Sequence, residues 1–206
     1  TDFDAYRQSL ARFVYQTGMI MQPVFRAAKA AGQKRVAYAE GEDERVLRAV
    51  QILIDEKIAN PILIGRPAVI ARRIERFGLR MNPGVDIDIC NPEFDERYRE
   101  YWQTYHSLTK RKGVTESYAR LEVRRRNTLI GSLMVHKGQA DGLICGTIGQ
   151  TGAHLHYIDQ VIGHEPGAAT YGAMNALVLP GRQVFLVDTH INVDPSAEQL
   201  AELTIL

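Results

Sequence analysis

Between Arg35 and Cys90, short apolar runs alternate with stretches in which apolar residues recur every three or four positions: RVAYAE, DERVLRAVQILIDEK, NPILIG, PAVIARRIERFG and VDIDIC. A run of about five apolar residues suits a buried strand, and a three-to-four period suits a helix with one apolar face. Their alternation predicts right-handed βαβ units on a parallel sheet flanked by helices. Pro67 stands where a first helical position would be and Gly78 where that helix would stop. Residues 3–31 are helical in character, with Phe3, Tyr6, Leu10, Phe13 and Val14 on one face, Pro23 as a break or kink and Gly32 as the stop. Residues 93–137 read as two or three helices. TKRKG ends one, RRRN ends or interrupts the next, and Gly138 stops the last before ADGLICG returns to strand character. After Gly167, two apolar runs around Pro180-Gly181 predict a hairpin in a second sheet. At the end, Leu200, Leu203 and Leu206 follow a helical spacing that leaves an apolar face in need of a partner. With no initiating methionine at Thr1, the chain reads as a piece excised from a larger polypeptide.

Composition narrows the class without naming a function. The 206 residues are 45% hydrophobic, enough to bury a core, and 25 basic against 24 acidic residues leave no net field to attract nucleic acid or an anionic membrane. Any anion site must therefore be local. Cys90 and Cys145 lie in apolar surroundings without CxxC spacing, which fits reduced thiols. No apolar run approaches the roughly 18 residues that span a bilayer, and no signal peptide is recognisable, so a cytoplasmic location is expected.

Four groups of residues are candidates for chemistry. The first is the loop Gly146-Thr147-Ile148-Gly149-Gln150-Thr151-Gly152, which follows an apolar run. Backbone N–H groups at a strand-to-helix loop can cradle an anion. The loop matches neither GxGxxG nor GxxxxGK[ST], and a plain turn with Thr151 as helix cap explains it equally well. The second is AEGEDER, residues 39–45, where Asp43 can cap a helix and Arg45 can reach a ligand or pair with Glu42. The third is the pair of basic runs, Lys110-Arg111-Lys112 and Arg124-Arg125-Arg126, able to hold phosphate groups or simply to form solvated helix faces. The fourth comprises His154, His156 and Asp159, with Asp188-Thr189-His190 further on; a spacing of two on a helix does not bring both imidazoles to one metal.

Taken in order, AEGEDERVLRA, LTKRKGVTESYAR, ADGLICGTIGQTG and VDTHINVDPSAEQLAEL resemble the phosphotransacetylase family over residues 34–206. SLARFVYQTGMIMQPVFRAAKAAG resembles the connector that joins a malic-enzyme domain to a phosphotransacetylase-like domain in hybrid NADP-dependent malic enzymes. The resemblance implies an α/β fold similar to isocitrate and isopropylmalate dehydrogenases. It implies a helical connector at 1–33, a first α/β domain at 34–149 and an incomplete second α/β domain from 150–206. It also implies a coenzyme A cleft, a homodimer within a larger oligomer, and NADP with Mg or Mn in a malic-enzyme domain outside these residues. Carried onto this chain, the acetyl-CoA contacts are Lys110, Arg111, Lys112, Thr147, Gly149, Gln150, Thr151, Gly152 and His156. Thr109 and His156 stand where the family has arginines, and its later Ser-Arg and Asp positions fall after Leu206. Loss of phosphate-neutralising arginines implies a regulatory acetyl-CoA sensor. The alternatives are an active phosphate acetyltransferase and a nucleotide- or nucleic-acid-binding module.

Overall fold

The computed structural model describes Phe3, Tyr6, Arg7 and residues 18–179 and 182–205. They fall into two compact units, one spanning Ala27–Gly163 and the other comprising Thr1–Arg26 with His164–Leu206. The sequence expectation placed a division at 149/150; the first unit runs on to Gly163 and takes in the helix after the glycine-rich loop.

Helix α1 (Gly18–Ala30) continues through Pro23 rather than breaking there. A proline removes its own N–H but leaves later ones free to bond, as Ala31 N does to Ala27 O at 2.9 Å. Of the residues expected on one helix face, Phe3 and Tyr6 are exposed, and Leu10, Phe13 and Val14 lie outside the described residues.

The sheet of the larger unit contains β1 (Lys34–Tyr38), β2 (Ala59–Ile64), β3 (Asp88–Cys90) and β4 (Gly142–Ile144). They are parallel, in the order β3-β2-β1-β4. Alternation along the strands divides the core into two layers. Tyr38 and Leu63 face one layer with α2 (Glu44–Asp55) and α3 (Pro67–Arg76), which contribute Val46, Leu47, Val50, Ile70 and Ile74. Ala37, Ile62 and Ile64 face the other, against α4 (Tyr98–Thr109), α5 (Glu116–Arg125), α6 (Asn127–His136) and α7 (Thr151–Val161). This is the expected parallel sheet flanked by helices.

Local chemistry accounts for the element ends. Asp43 caps α2, its side chain accepting from Arg45 N, and Pro67 begins α3. The basic turn Lys110–Lys112 is a single 3-10 turn after α4, and Thr115 caps α5. Helix α6 is buried on nearly every side from Thr128 to Met134, as expected of a helix sandwiched between the sheet and other helices. Gly41 follows β1 so closely beside β2 that a Cβ there would lie 2.9 Å from the backbone N and O of Ile64.

At the opposite end of the sheet, Arg35 and Asp141 clasp β1 to the start of β4. The Asp141 carboxylate accepts from Arg35 N at 2.8 Å and from Arg35 Nη2 at 3.0 Å. Hydrogen bonds from Arg35 hold the Asp141 carboxyl down at about 2. A carboxyl whose folded pKa lies below its unfolded value, near 3.9, stabilises fully above that unfolded value and loses its contribution as the pH falls through the folded one. Acid titration of the protein is therefore expected to show a component lost between about pH 4 and pH 2 that Asp141→Asn removes. An unchanged profile in the variant would contradict this.

In the smaller unit, β5 (Met174–Leu179) and β6 (Arg182–Val187) form the expected antiparallel hairpin, with Leu179 opposite Arg182. Pro180 and Gly181 lie outside the described residues. Helix α8 (Ala197–Ile205) buries Leu203, leaves Leu200 exposed, and accepts Ala169 N on Glu202 Oε1 at 2.6 Å. Leu206 lies outside the described residues.

Candidate binding cleft at the strand ends

In an open α/β sheet, loops leaving the carboxyl ends of the strands diverge where the strand order reverses, and a crevice opens there. Here β2 and β3 follow β1 to one side, whereas β4 lies on the other. A cleft of about 580 Å³ lies at this place, and each strand's following loop contributes to it: Glu40 after β1, Arg66 after β2, Pro92 after β3 and Gly149 after β4.

Two of these loops are stitched together. Glu40 Oε1 accepts from Gly146 N at 3.1 Å, and Arg45 Nη2 donates to the Thr147 carbonyl at 3.1 Å. The loop is then pinned from above by His154, whose Nε2 lies 2.8 Å from the Ile148 carbonyl and whose Nδ1 lies 2.7 Å from Thr128 Oγ1. Because a carbonyl only accepts, Nε2 carries the proton in that bond. A Cβ at Gly149 would sit 3.0 Å from His154 Nε2, so the imidazole occupies the space a larger residue would fill.

Asn127, the first residue of α6, ties the floor together. Its Nδ2 donates to the Ala39 carbonyl at 2.8 Å and to the Ile64 carbonyl at 3.4 Å, spanning the ends of β1 and β2. Asn127→Ala is expected to cost about 1–2 kcal/mol of stability, measured by denaturant unfolding. A variant as stable as the parent would show that water replaces the amide without loss.

Arginines dominate the electrostatics of the walls. Arg66, Arg73, Arg124, Arg125 and Arg126 all line the cleft, with Glu40, Glu42, Asp43 and Glu93 as the acidic residues. Arg66 Nη2 donates to Glu42 Oε2 at 2.8 Å, and these bonds hold the Glu42 carboxyl below its ordinary range. Arg73 donates to the Glu42 carbonyl. Arg45 pairs with Asp43 at 3.0 Å and lowers that carboxyl. The anticipated Arg45–Glu42 pair does not form, because Glu42 turns to Arg66 across the sheet. Arg126 reaches the buried Glu122 at 3.5 Å, and Tyr157 also donates to that carboxylate. Arg125 is exposed and has no ion-pair partner among the described residues. An arrangement with more guanidinium than carboxylate, in which Arg124 and Arg125 have no carboxylate partner among the described residues, suits an anion such as phosphate.

Of the contacts anticipated from sequence, Gly149 and Gln150 line this cleft; Thr147, Thr151, Gly152 and His156 lie outside its lining, as do Lys110, Arg111 and Lys112. Thr147 faces the stitch to Arg45 through its carbonyl, and His156 is exposed with its ring edge on Tyr157 at 5.2 Å. His154, next but one to His156, is the imidazole that meets the cleft. The run Arg124–Arg126 does line the cleft, yet nothing local distinguishes it in sequence from Lys110–Lys112, since both runs end helices. In the smaller unit, Asp188 Oδ1 accepts from Asn192 Nδ2 at 2.8 Å, and no hydrogen bond joins it to His190 among the described residues.

Comparison with known proteins places these features in a lineage. A family model described as Phosphate acetyl/butaryl transferase matches residues 19–206. The chain is 48% identical over 205 residues to an NAD-dependent malic enzyme of Rhizobium meliloti (strain 1021), covering 100% of this chain and 27% of that protein. It is 47% identical over 205 residues to an NADP-dependent malic enzyme of Salmonella typhimurium (strain LT2), with the same coverage of 100% and 27%. This chain thus spans about a quarter of the length of these curated relatives. Among solved structures, EutD phosphotransacetylase from Staphylococcus aureus superposes with a TM-score of 0.76 at 26% identity, covering 88% of this chain and 55% of that one.

Proposed function

The chain belongs to the Phosphate acetyl/butaryl transferase family, and we propose that it serves as the acetyl-CoA-sensing, phosphotransacetylase-like domain of a malic enzyme. In this reading the larger polypeptide oxidatively decarboxylates malate to pyruvate, and acetyl-CoA bound at the strand-end cleft adjusts that activity. The cleft fits the group, since its arginines suit the phosphates of coenzyme A.

The observation that carries the sensing rather than the transferase reading is Thr109. The family resemblance puts an arginine at this position, but here the side chain is 0% exposed and its hydroxyl donates to the Tyr105 carbonyl at 2.7 Å. No guanidinium emerges there to neutralise inorganic phosphate, which supports binding without turnover. The active-transferase reading has its own support in the solved phosphotransacetylase fold, and the test below separates the two.

Redox chemistry is proposed for the rest of the polypeptide. Among the described residues no group of three His, Cys, Asp or Glu side chains converges to hold a metal ion, and the loop 146–152 lacks a dinucleotide fingerprint. The donor set therefore does not fit Mg, Mn or a nicotinamide dinucleotide here. NADP is the dinucleotide proposed for that part, and the name of one relative, an NAD-dependent malic enzyme, supports NAD as the alternative. Self-association as a homodimer within a larger oligomer is part of the same proposal. No described helix is long and apolar enough to cross a membrane.

An effector shifts an activity only if it binds one state of the assembly better than another. Coupling of ordinary size corresponds to about a 5- to 150-fold change in affinity. The full-length protein is expected to change its malate-oxidation kinetics several-fold when acetyl-CoA is added, and to form no acetyl phosphate from acetyl-CoA and phosphate. Steady acetyl phosphate turnover would overturn the sensing reading, and indifference of malate oxidation to acetyl-CoA would sink the regulatory one.

A further inference from the structure

Outside the cleft, a second cavity of about 750 Å³ lies between α4 and α5, with Arg99, Arg120 and Arg124 on its walls together with Tyr98, Trp102 and Glu116. Three features set it apart from an ordinary solvated helix face. Two of its guanidiniums lie over aromatic rings, Arg120 over Trp102 at 4.2 Å and Arg124 over Tyr98 at 4.6 Å. Stacking of this kind fixes the plane of the guanidinium and leaves its N–H edge for an anion. Tyr98 is itself anchored, its hydroxyl donating to the Arg120 carbonyl at 2.6 Å, so the rings that carry the arginines do not move independently of α5.

The charge is unbalanced as well. The single carboxylate on the walls, Glu116, meets Arg120 at 3.2 Å in an exposed pair with side chains 59% and 52% accessible. Such a pair is weak in water and yields readily to a stronger anion. Arg99 is exposed and has no ion-pair partner among the described residues. Finally, Arg124 is a shared wall, lining both this cavity and the strand-end cleft. A ligand with anionic groups at two places along its length can therefore engage both.

We propose that the cavity between α4 and α5 is a phosphate subsite, in which Arg99 and Arg120 take the terminal phosphomonoester of an extended nucleotide ligand whose other phosphates lie at the strand-end cleft. The proposal rests on the reading of the cleft as an acetyl-CoA site and names how the far end of that ligand is held. A phosphomonoester matches the site because it carries close to two negative charges at neutral pH and several acceptor oxygens, enough for both guanidiniums.

The test is a calorimetric titration of the full-length protein with acetyl-CoA and with its 3′-dephospho analogue, in the parent and in the double variant Arg99→Gln/Arg120→Gln. The parent is expected to bind the dephospho analogue tenfold or more weakly. The double variant is expected to bind acetyl-CoA about as weakly as the parent binds the analogue, and to lose the discrimination. Unchanged affinity of the variant for the dephospho analogue serves as the check that its fold is intact. Equal binding of both ligands by the parent, or undiminished discrimination by the variant, overturns the subsite while leaving the acetyl-CoA cleft standing. Failure of the parent to bind either ligand overturns the cleft reading and the subsite with it. A variant that loses both ligands equally also overturns the subsite, since its effect is then on the fold or on the cleft rather than on the terminal phosphate.

Discussion

Leu133→Ala is expected to lower the stability of the larger unit by about 2–5 kcal/mol, read as a fall in the denaturant midpoint without a change in slope. Leu133 is fully buried on α6, in the layer that joins Ile62 and Ile64 of the sheet to Tyr101, Tyr105 and Val123 of the helices beyond it. Truncation removes the transfer energy of the lost carbons and leaves a void on a helix that has no free face to shift toward. Leu121→Ala on α5 supplies the contrast. Leu121 is 43% exposed, so its loss is expected to cost under about 1 kcal/mol. Equal effects of the two changes would contradict the placement of α6 at the centre of the packing. The consequence extends to the cleft, because Asn127 and Thr128 on the same helix bond to the strand ends and to His154.

Arg125→Ala is expected to weaken acetyl-CoA binding by about 10- to 100-fold, the ordinary range for one charge-assisted hydrogen bond lost from a phosphate. Arg125 is the best probe in the cleft because it is exposed and has no described ion-pair partner, so its removal strands no buried carboxylate. The same change at Arg126 would leave the buried Glu122 without its cation, mixing stability with binding. Lys112→Ala is the informative companion. If that change weakens binding as much and Arg125→Ala does not, the phosphates lie at the basic turn after α4 and the strand-end cleft is not their site. Binding by the variants should be measured at one ionic strength, since exposed charges are screened within about 8–10 Å in ordinary buffers.

The parts of this fold that were readable from the chain are those whose causes are local. Asp43 and Pro67 announce the starts of α2 and α3 within a turn of the residues they serve, and NPILIG is apolar over the length of a buried strand. Of the two outcomes that Pro23 allows, a break or a kink, the break does not occur, because one missing N–H does not stop a helix whose other bonds remain. The site is harder, since its walls come from loops that are distant in sequence. Glu42 has Arg45 three positions away, yet its partner is Arg66, brought across by the pairing of β1 with β2. Likewise, neither basic run carries a mark of its destination. Only the packing of α5 and α6 against the sheet turns Arg124–Arg126 into the cleft and leaves Lys110–Lys112 on a turn outside it. In sequence His154 stands out only by its spacing of two from His156, whereas its place in the structure depends on Thr128 and Ile148.

The two outer strands of the parallel sheet, Asp88–Cys90 and Gly142–Ile144, have three residues each, against five and six in the inner pair. A row of unpaired backbone groups along a long outer strand invites a foreign chain to add itself, the first step of ordered aggregation. Three residues offer too few ladder bonds to hold such an intruder. Within the four-stranded sheet of the larger unit, brevity at the margins thus limits the backbone left open to a foreign strand.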